Sequence, residues 1–144
     1  MSQTRSVADA YIASLGAAGR RVADGEWGVT IDDVAGWPLH VGIRLADGFL
    51  RAQAEVVGAG QIADHELLLR NRSLRVVRLA HTGAGDVWIV GDLPAAAVST
   101  TELDRLLGLL VAAATDVRLT PLGGARGPGT GGSPRAGAGA SPRG

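Results

Sequence analysis

The run in this chain that most invites a chemical reading is Val56-Val57-Gly58-Ala59-Gly60-Gln61-Ile62-Ala63, a G-x-G-x-x-A pattern between an alternating stretch and an apolar-periodic one. In a dinucleotide fold such glycines let a pyrophosphate reach the free N–H groups of a helix N-terminus. Three features oppose that use here. The preceding stretch alternates with Arg51, Gln53 and Glu55, whereas a buried parallel strand is apolar throughout. His81 and Thr82 stand where a ribose-binding carboxylate belongs, and about 60 further ordered residues cannot complete a Rossmann sheet. The run reads as a glycine loop between strand and helix, and a nucleotide-dependent enzyme using Gly58 to Gly60 is the weakest of three functional alternatives.

His40, His65 and His81 fall on different elements, and His65-Glu66 is followed by Leu69 where a zinc helix needs a second histidine, so no metal site is expected. The chain has no cysteine, which excludes disulfides, thiolate-bound metals and a thiol nucleophile. All 14 basic residues are arginines, which removes Schiff-base and P-loop lysine chemistry. No G-x-S-x-G elbow is present, and Asp32-Asp33 reads as a turn, where Asp is common for backbone reasons. Neither a catalytic residue nor a cofactor is expected, and the chain reads as a non-enzyme.

Two other features could meet a partner. Arg70, Arg72, Arg75 and Arg78 are the one dense basic stretch before the tail, suited to an acidic protein or to phosphates. No aromatic interleaves with them to stack bases, so a solvated strand edge is the plainer reading and contact with DNA or RNA the alternative.

These residues must be positioned by a chain of 144 residues with 46% hydrophobic content, enough for one core. From Pro121 onward the composition turns to Gly, Pro, Ala and Arg with no acid, so residues 120–144 are expected to be a disordered tail behind a domain over 1–119. Without the three tail arginines the first 120 residues carry 11 Arg against 14 acids, a mildly acidic body. No apolar run approaches the roughly 18 residues of a spanning helix, and no signal-peptide core is visible, so a cytosolic protein away from membranes is expected.

Periodicity predicts a helix over about Thr4 to Gly19 with Ser6 as its N-cap, then a strand through Trp27, Val29 and Ile31. Trp37 to Leu45 alternates cleanly and turns at Ala46-Asp47-Gly48 into a strand from Phe49 to Val56, giving a hairpin with one wet face. A short helix over Gln61 to Asn71, a strand from Leu74 to Ala80 and the run Val87-Trp88-Ile89-Val90 follow. That unbroken run implies cover on both faces. The last helix opens with the capping box Ser99-Thr100-Thr101-Glu102 and carries one long apolar stripe. The order α-β-β-β-α-β-β-α argues for an α+β sandwich with an antiparallel sheet.

On that last helix, at about 100° per residue from Leu103, Leu106 marks the edge of the stripe, while Leu109 and Ala113 fall outside it at about −120° and −80°. With Trp88 and Val90 they suggest a second buried surface, either a dimer interface or a partner site made of Trp88, Val90, Leu106, Leu109 and Ala113.

The stretch Leu67-Leu68-Leu69-Arg70-Asn71, then Val87-Trp88-Ile89-Val90, Asp92-Leu93-Pro94, Val98-Ser99 and Glu102-Leu103-Asp104 with Leu106, Leu107 and Leu110 resembles the YbjN family, whose fold is akin to that of class I type III secretion chaperones. The likeness covers about residues 5 to 118. It implies a small homodimeric α/β sandwich that binds segments of partner proteins, acts as a regulator or stress-linked accessory factor, and has no catalytic residues to transfer. A chaperone-like or adaptor homodimer is therefore the leading expectation, with an accessory protein of nucleic-acid metabolism second.

Overall fold

The computed structural model describes residues 2–120, so the Gly/Pro/Arg tail lies outside the described residues. Its elements are α1 (Ser2–Ser14), β1 (Gly19–Ala23), β2 (Glu26–Val34), β3 (Trp37–Ala46), β4 (Phe49–Val57), α2 (Asp64–Asn71), β5 (Val77–His81), β6 (Val87–Pro94) and α3 (Thr100–Leu119). The strands form one antiparallel sheet in the order β1-β2-β3-β4-β6-β5, so β6 inserts between β4 and the edge strand β5. The fold is α+β, as the patterning predicts, with one strand more than expected.

That strand is β1, which begins at Gly19, where the first helix was expected to end, and runs to Ala23 through residues for which no element was expected. The helix stops at Ser14, and Gly19 begins a strand running back beneath it. A Cβ on Gly19 would lie 2.5 Å from the Ile12 carbonyl oxygen, so only glycine permits so close a return. Asp24-Gly25 is then a two-residue hairpin loop joining β1 to β2. Ser6 is not the cap: it sits inside α1, its hydroxyl donating to the Ser2 carbonyl at 3.0 Å. Asp32 and Asp33 belong to the irregular end of β2, where Asp33 accepts the Gly36 N–H at 2.8 Å and closes the next turn.

Alternation decides which face is buried. Leu50, Ala52, Ala54 and Val56 of β4 and Leu39, Val41 and Ile43 of β3 point into the core, while Arg51, Gln53, Glu55, His40 and Arg44 are exposed. The helices cover that one face. Tyr11 of α1 donates to Asp104 of α3 at 3.1 Å, Trp27 donates to Asp9 at 2.8 Å, and Leu67 of α2 joins the same core. Ser99 caps α3 by accepting the Glu102 N–H at 3.1 Å, as its capping box predicts.

Candidate partner-binding groove

Where α3 passes over β5, the helix layer leaves a gap. The C-terminal end of α2 is fixed there by Arg70, whose guanidinium donates to Asp116 at 2.9 Å, to Glu66 at 2.8 Å and to the Thr120 hydroxyl at 2.6 Å. The chain leaves α2 through Ser73, Leu74 and Arg75 and enters β5 after Val76, which holds φ at +69°. A β-branched residue rarely adopts that conformation, which costs about 1–3 kcal/mol. Beyond it, Leu74, Val77 and Leu79 on one side and Leu109, Ala112 and Ala113 on the other enclose a groove of about 350 Å³. Arg70, Arg75 and Arg105 stand around it with a single acid, Asp116.

The structure divides the residues singled out from sequence. Leu109, Ala113, Arg70 and Arg75 meet in this groove, although the sequence pattern assigns them to two separate surfaces. Leu106 is not an interface residue: it is 1% exposed, packed so close over β6 that a Cβ on Gly91 would lie 2.6 Å from its Cδ1. Trp88 and Val90 alternate with the core residues Val87 and Ile89 and therefore face the other side of the sheet, away from α3. The cover implied on both faces of β6 is thus supplied on one face only among the described residues. Val90 is buried beside its cross-strand neighbours Gln53 and Arg78, and Trp88 is half-buried.

The four arginines do not form one stripe. Arg78 points to the open face, where it and Arg51 hold Asp92 at 3.2 Å and 2.7 Å. The Arg51 hydrogen bond and then that from Arg78 keep the Asp92 carboxyl below its usual range, against the opposing effect of burial. Arg72 and Arg75 are exposed, with no ion pair among the described residues. Arg105 escaped the sequence reading; it lies one turn before Leu109 on α3, so helical i, i+4 spacing was the available signal.

The glycine loop carries features hostile to a pyrophosphate. Asp86 accepts the Ala59 N–H at 3.2 Å, taking one of the loop amides a phosphate would need, and the first turn of α2 holds Asp64 and Glu66, whose charge opposes an anion at that end. His81 lies 3.9 Å from Asp64 and His65 lies 3.6 Å from Glu66, while His40 meets Thr30 on the open face. Among the described residues no three of these side chains converge as metal ligands, and no helix is long and apolar enough to cross a membrane.

No known family profile matches the sequence, and no curated protein matches it. Solved structures do. The chain is similar to the Yersinia pestis type III secretion chaperone SycH, solved with a fragment of YscM2, at 20% identity and a TM-score of 0.63 over 79% of this chain and 98% of that one. It is similar to a chain of the HopA1–SchA chaperone–effector complex at 16% identity and a TM-score of 0.64, over 80% and 92% of the two chains. A chain of the heterodimeric ExoU–SpcU complex of Pseudomonas aeruginosa matches at 16% identity and a TM-score of 0.57, over 76% and 93%. The likeness is one of fold: the sheet and flanking helices of this chain are those of type III secretion chaperones.

Proposed function

We propose that this is a non-catalytic, chaperone-like or adaptor protein of the cytosol that holds a segment of another protein and acts as a homodimer. The observation that carries the reading is the apolar groove between β5 and α3, whose floor of Leu74, Val77, Leu79, Leu109, Ala112 and Ala113 is filled by no element among the described residues. Small-molecule pockets measure about 300–1,000 Å³, and this one, of about 350 Å³, has room for a few side chains of one inserted segment. Structures of the same fold are complexes of chaperones with effectors, which supports a protein as the occupant. The YbjN-like pattern of Leu67 to Asn71 and Asp92-Leu93-Pro94 supports a regulatory or accessory role rather than secretion. The exposed Leu68 and Leu69 of α2 give the homodimer a surface separate from the groove.

A photo-crosslinking amino acid placed at Ala112, which is exposed in the groove, tests the reading in the native cell. We expect a discrete protein adduct that is lost when the same probe is placed at Asp33 on the far hairpin. Adducts of nucleic acid alone, or none, would overturn the proposal.

A further inference from the structure

The groove has a sign as well as a shape. Three arginines and one aspartate line it, in a body that is otherwise mildly acidic, so its positive rim is local and not a consequence of overall charge. Arg70 is already neutralised by Asp116 and Glu66. Arg75 has no ion pair among the described residues, and Arg105 has one loose contact, 3.7 Å to Glu102. Two guanidinium heads thus flank an apolar floor with their hydrogen-bonding forks uncommitted. Beside low-dielectric walls, a carboxylate reaching such a fork gains a charge-assisted, often bidentate pair.

We propose that the segment this groove binds is a short apolar stretch flanked by carboxylates, an acidic amphipathic segment of another protein. This rests on the partner-binding reading above. The other candidates fit the charge less well. The chain's own residues 121–144 carry three arginines and no acid, so they would meet like charge at the rim. A second copy seated groove on groove would set the same arginines against their own images. Nucleic acid would satisfy the rim but leave the aliphatic floor facing phosphates, with no aromatic to stack a base.

The test is selection of displayed 18-residue peptides on the full chain, run in parallel on Arg75→Glu/Arg105→Glu and on Ala112→Trp. All three sites are exposed, and circular dichroism checks that each variant folds. Peptides selected on the unaltered protein are expected to carry a short apolar cluster with flanking Asp or Glu. Resynthesised, such a peptide should lose tenfold or more in affinity on the charge-reversed variant, and its Lys-for-Glu counterpart should prefer that variant. Binding that is lost in Ala112→Trp but shows no acidic bias would overturn the charge inference and leave partner binding standing. Peptides indifferent to Ala112→Trp, or no peptide at all, would overturn both. A synthetic peptide of residues 121–144 binding the groove more tightly than the acidic peptides would identify the tail as occupant and sink the inference.

Discussion

Tyr11 is the only tyrosine of the chain, so its ionisation can be read directly from the tyrosinate absorbance. Burial, together with its hydrogen bond to Asp104 and the charge of that carboxylate, pushes its pKa up to about 12. Because the folded value lies above the unfolded one of about 10, the folded state keeps this contribution below pH 10 and loses it as the pH rises toward 12. A native-state titration centred near 10 would show that Tyr11 is not held against α3, and Tyr11→Phe should flatten the alkaline loss of stability. Arg118 is the other residue with a structural task out of proportion to its position. Its guanidinium, at the end of α3, donates to the carbonyls of Val56, Val34, Trp37 and Pro38 at 2.8–3.1 Å and lies 4.2 Å from the centroid of the Trp37 ring. Burial pulls its pKa down, yet far too little to discharge it near neutrality. We expect Arg118→Ala to cost about 2–3 kcal/mol in urea unfolding and Arg118→Lys to recover only part, since an ammonium cannot fork to four carbonyls.

At the scale of elements, the sheet has two edges and treats them differently. On β5, Leu79 donates its N–H to the Asn71 side-chain oxygen at 2.8 Å, and its carbonyl accepts from the Asn71 amide at 3.0 Å. One side chain of α2 thus completes the ladder as a neighbouring strand would, which blunts that edge against strand addition. Asn71→Ala leaves both groups unpaired beside a core residue. The expected outcome is a loss of about 1–3 kcal/mol and faster amide exchange at Leu79. Unchanged protection there would mean that packing of Leu67, not the amide, closes the edge. The value of Asn71 was visible in sequence only as part of a family-like pattern, because its partner lies eight residues on, across a loop whose strained Val76 no periodicity announces.

For the whole molecule, the exposed apolar surface links its cover to the number of copies. Leu68 and Leu69 are 69% and 57% exposed on α2, with Val76 nearby in sequence also exposed. Burying one leucine contributes about 1.5–3 kcal/mol, and a two-fold interface uses each residue twice. The protein is therefore expected to sediment as a dimer at tens of micromolar, and Leu68→Glu with Leu69→Glu to shift it to monomer without changing its circular dichroism. Leu109→Asp, in the groove, should leave the dimer intact and weaken partner binding. A wild-type monomer at that concentration would refute the dimer. A dimer that Leu109→Asp dissociates would move the interface to the groove.

Local pattern alone determined the elements whose signals are complete within a few residues. The capped α3 with its leucine stripe, the β3–β4 hairpin around Asp47-Gly48, its single wet face and the α+β class all follow from capping, turn chemistry and periodicity, which act over a turn or a pair of strands. What lies between α1 and β2 is not legible in sequence, because Gly19 carries its meaning in a backbone contact with Ile12, invisible to propensity. The groove belongs wholly to tertiary structure. Arg70 and Asp116 are 46 residues apart, and β6 enters between β4 and β5; that long-range arrangement sets Leu109 and Ala113 opposite Arg75, and it gives Val90, turned to the far side by alternation, Gln53 and Arg78 as neighbours. Sequence could say that these side chains needed partners. Which ones they received depended on long-range pairings that no local period encodes.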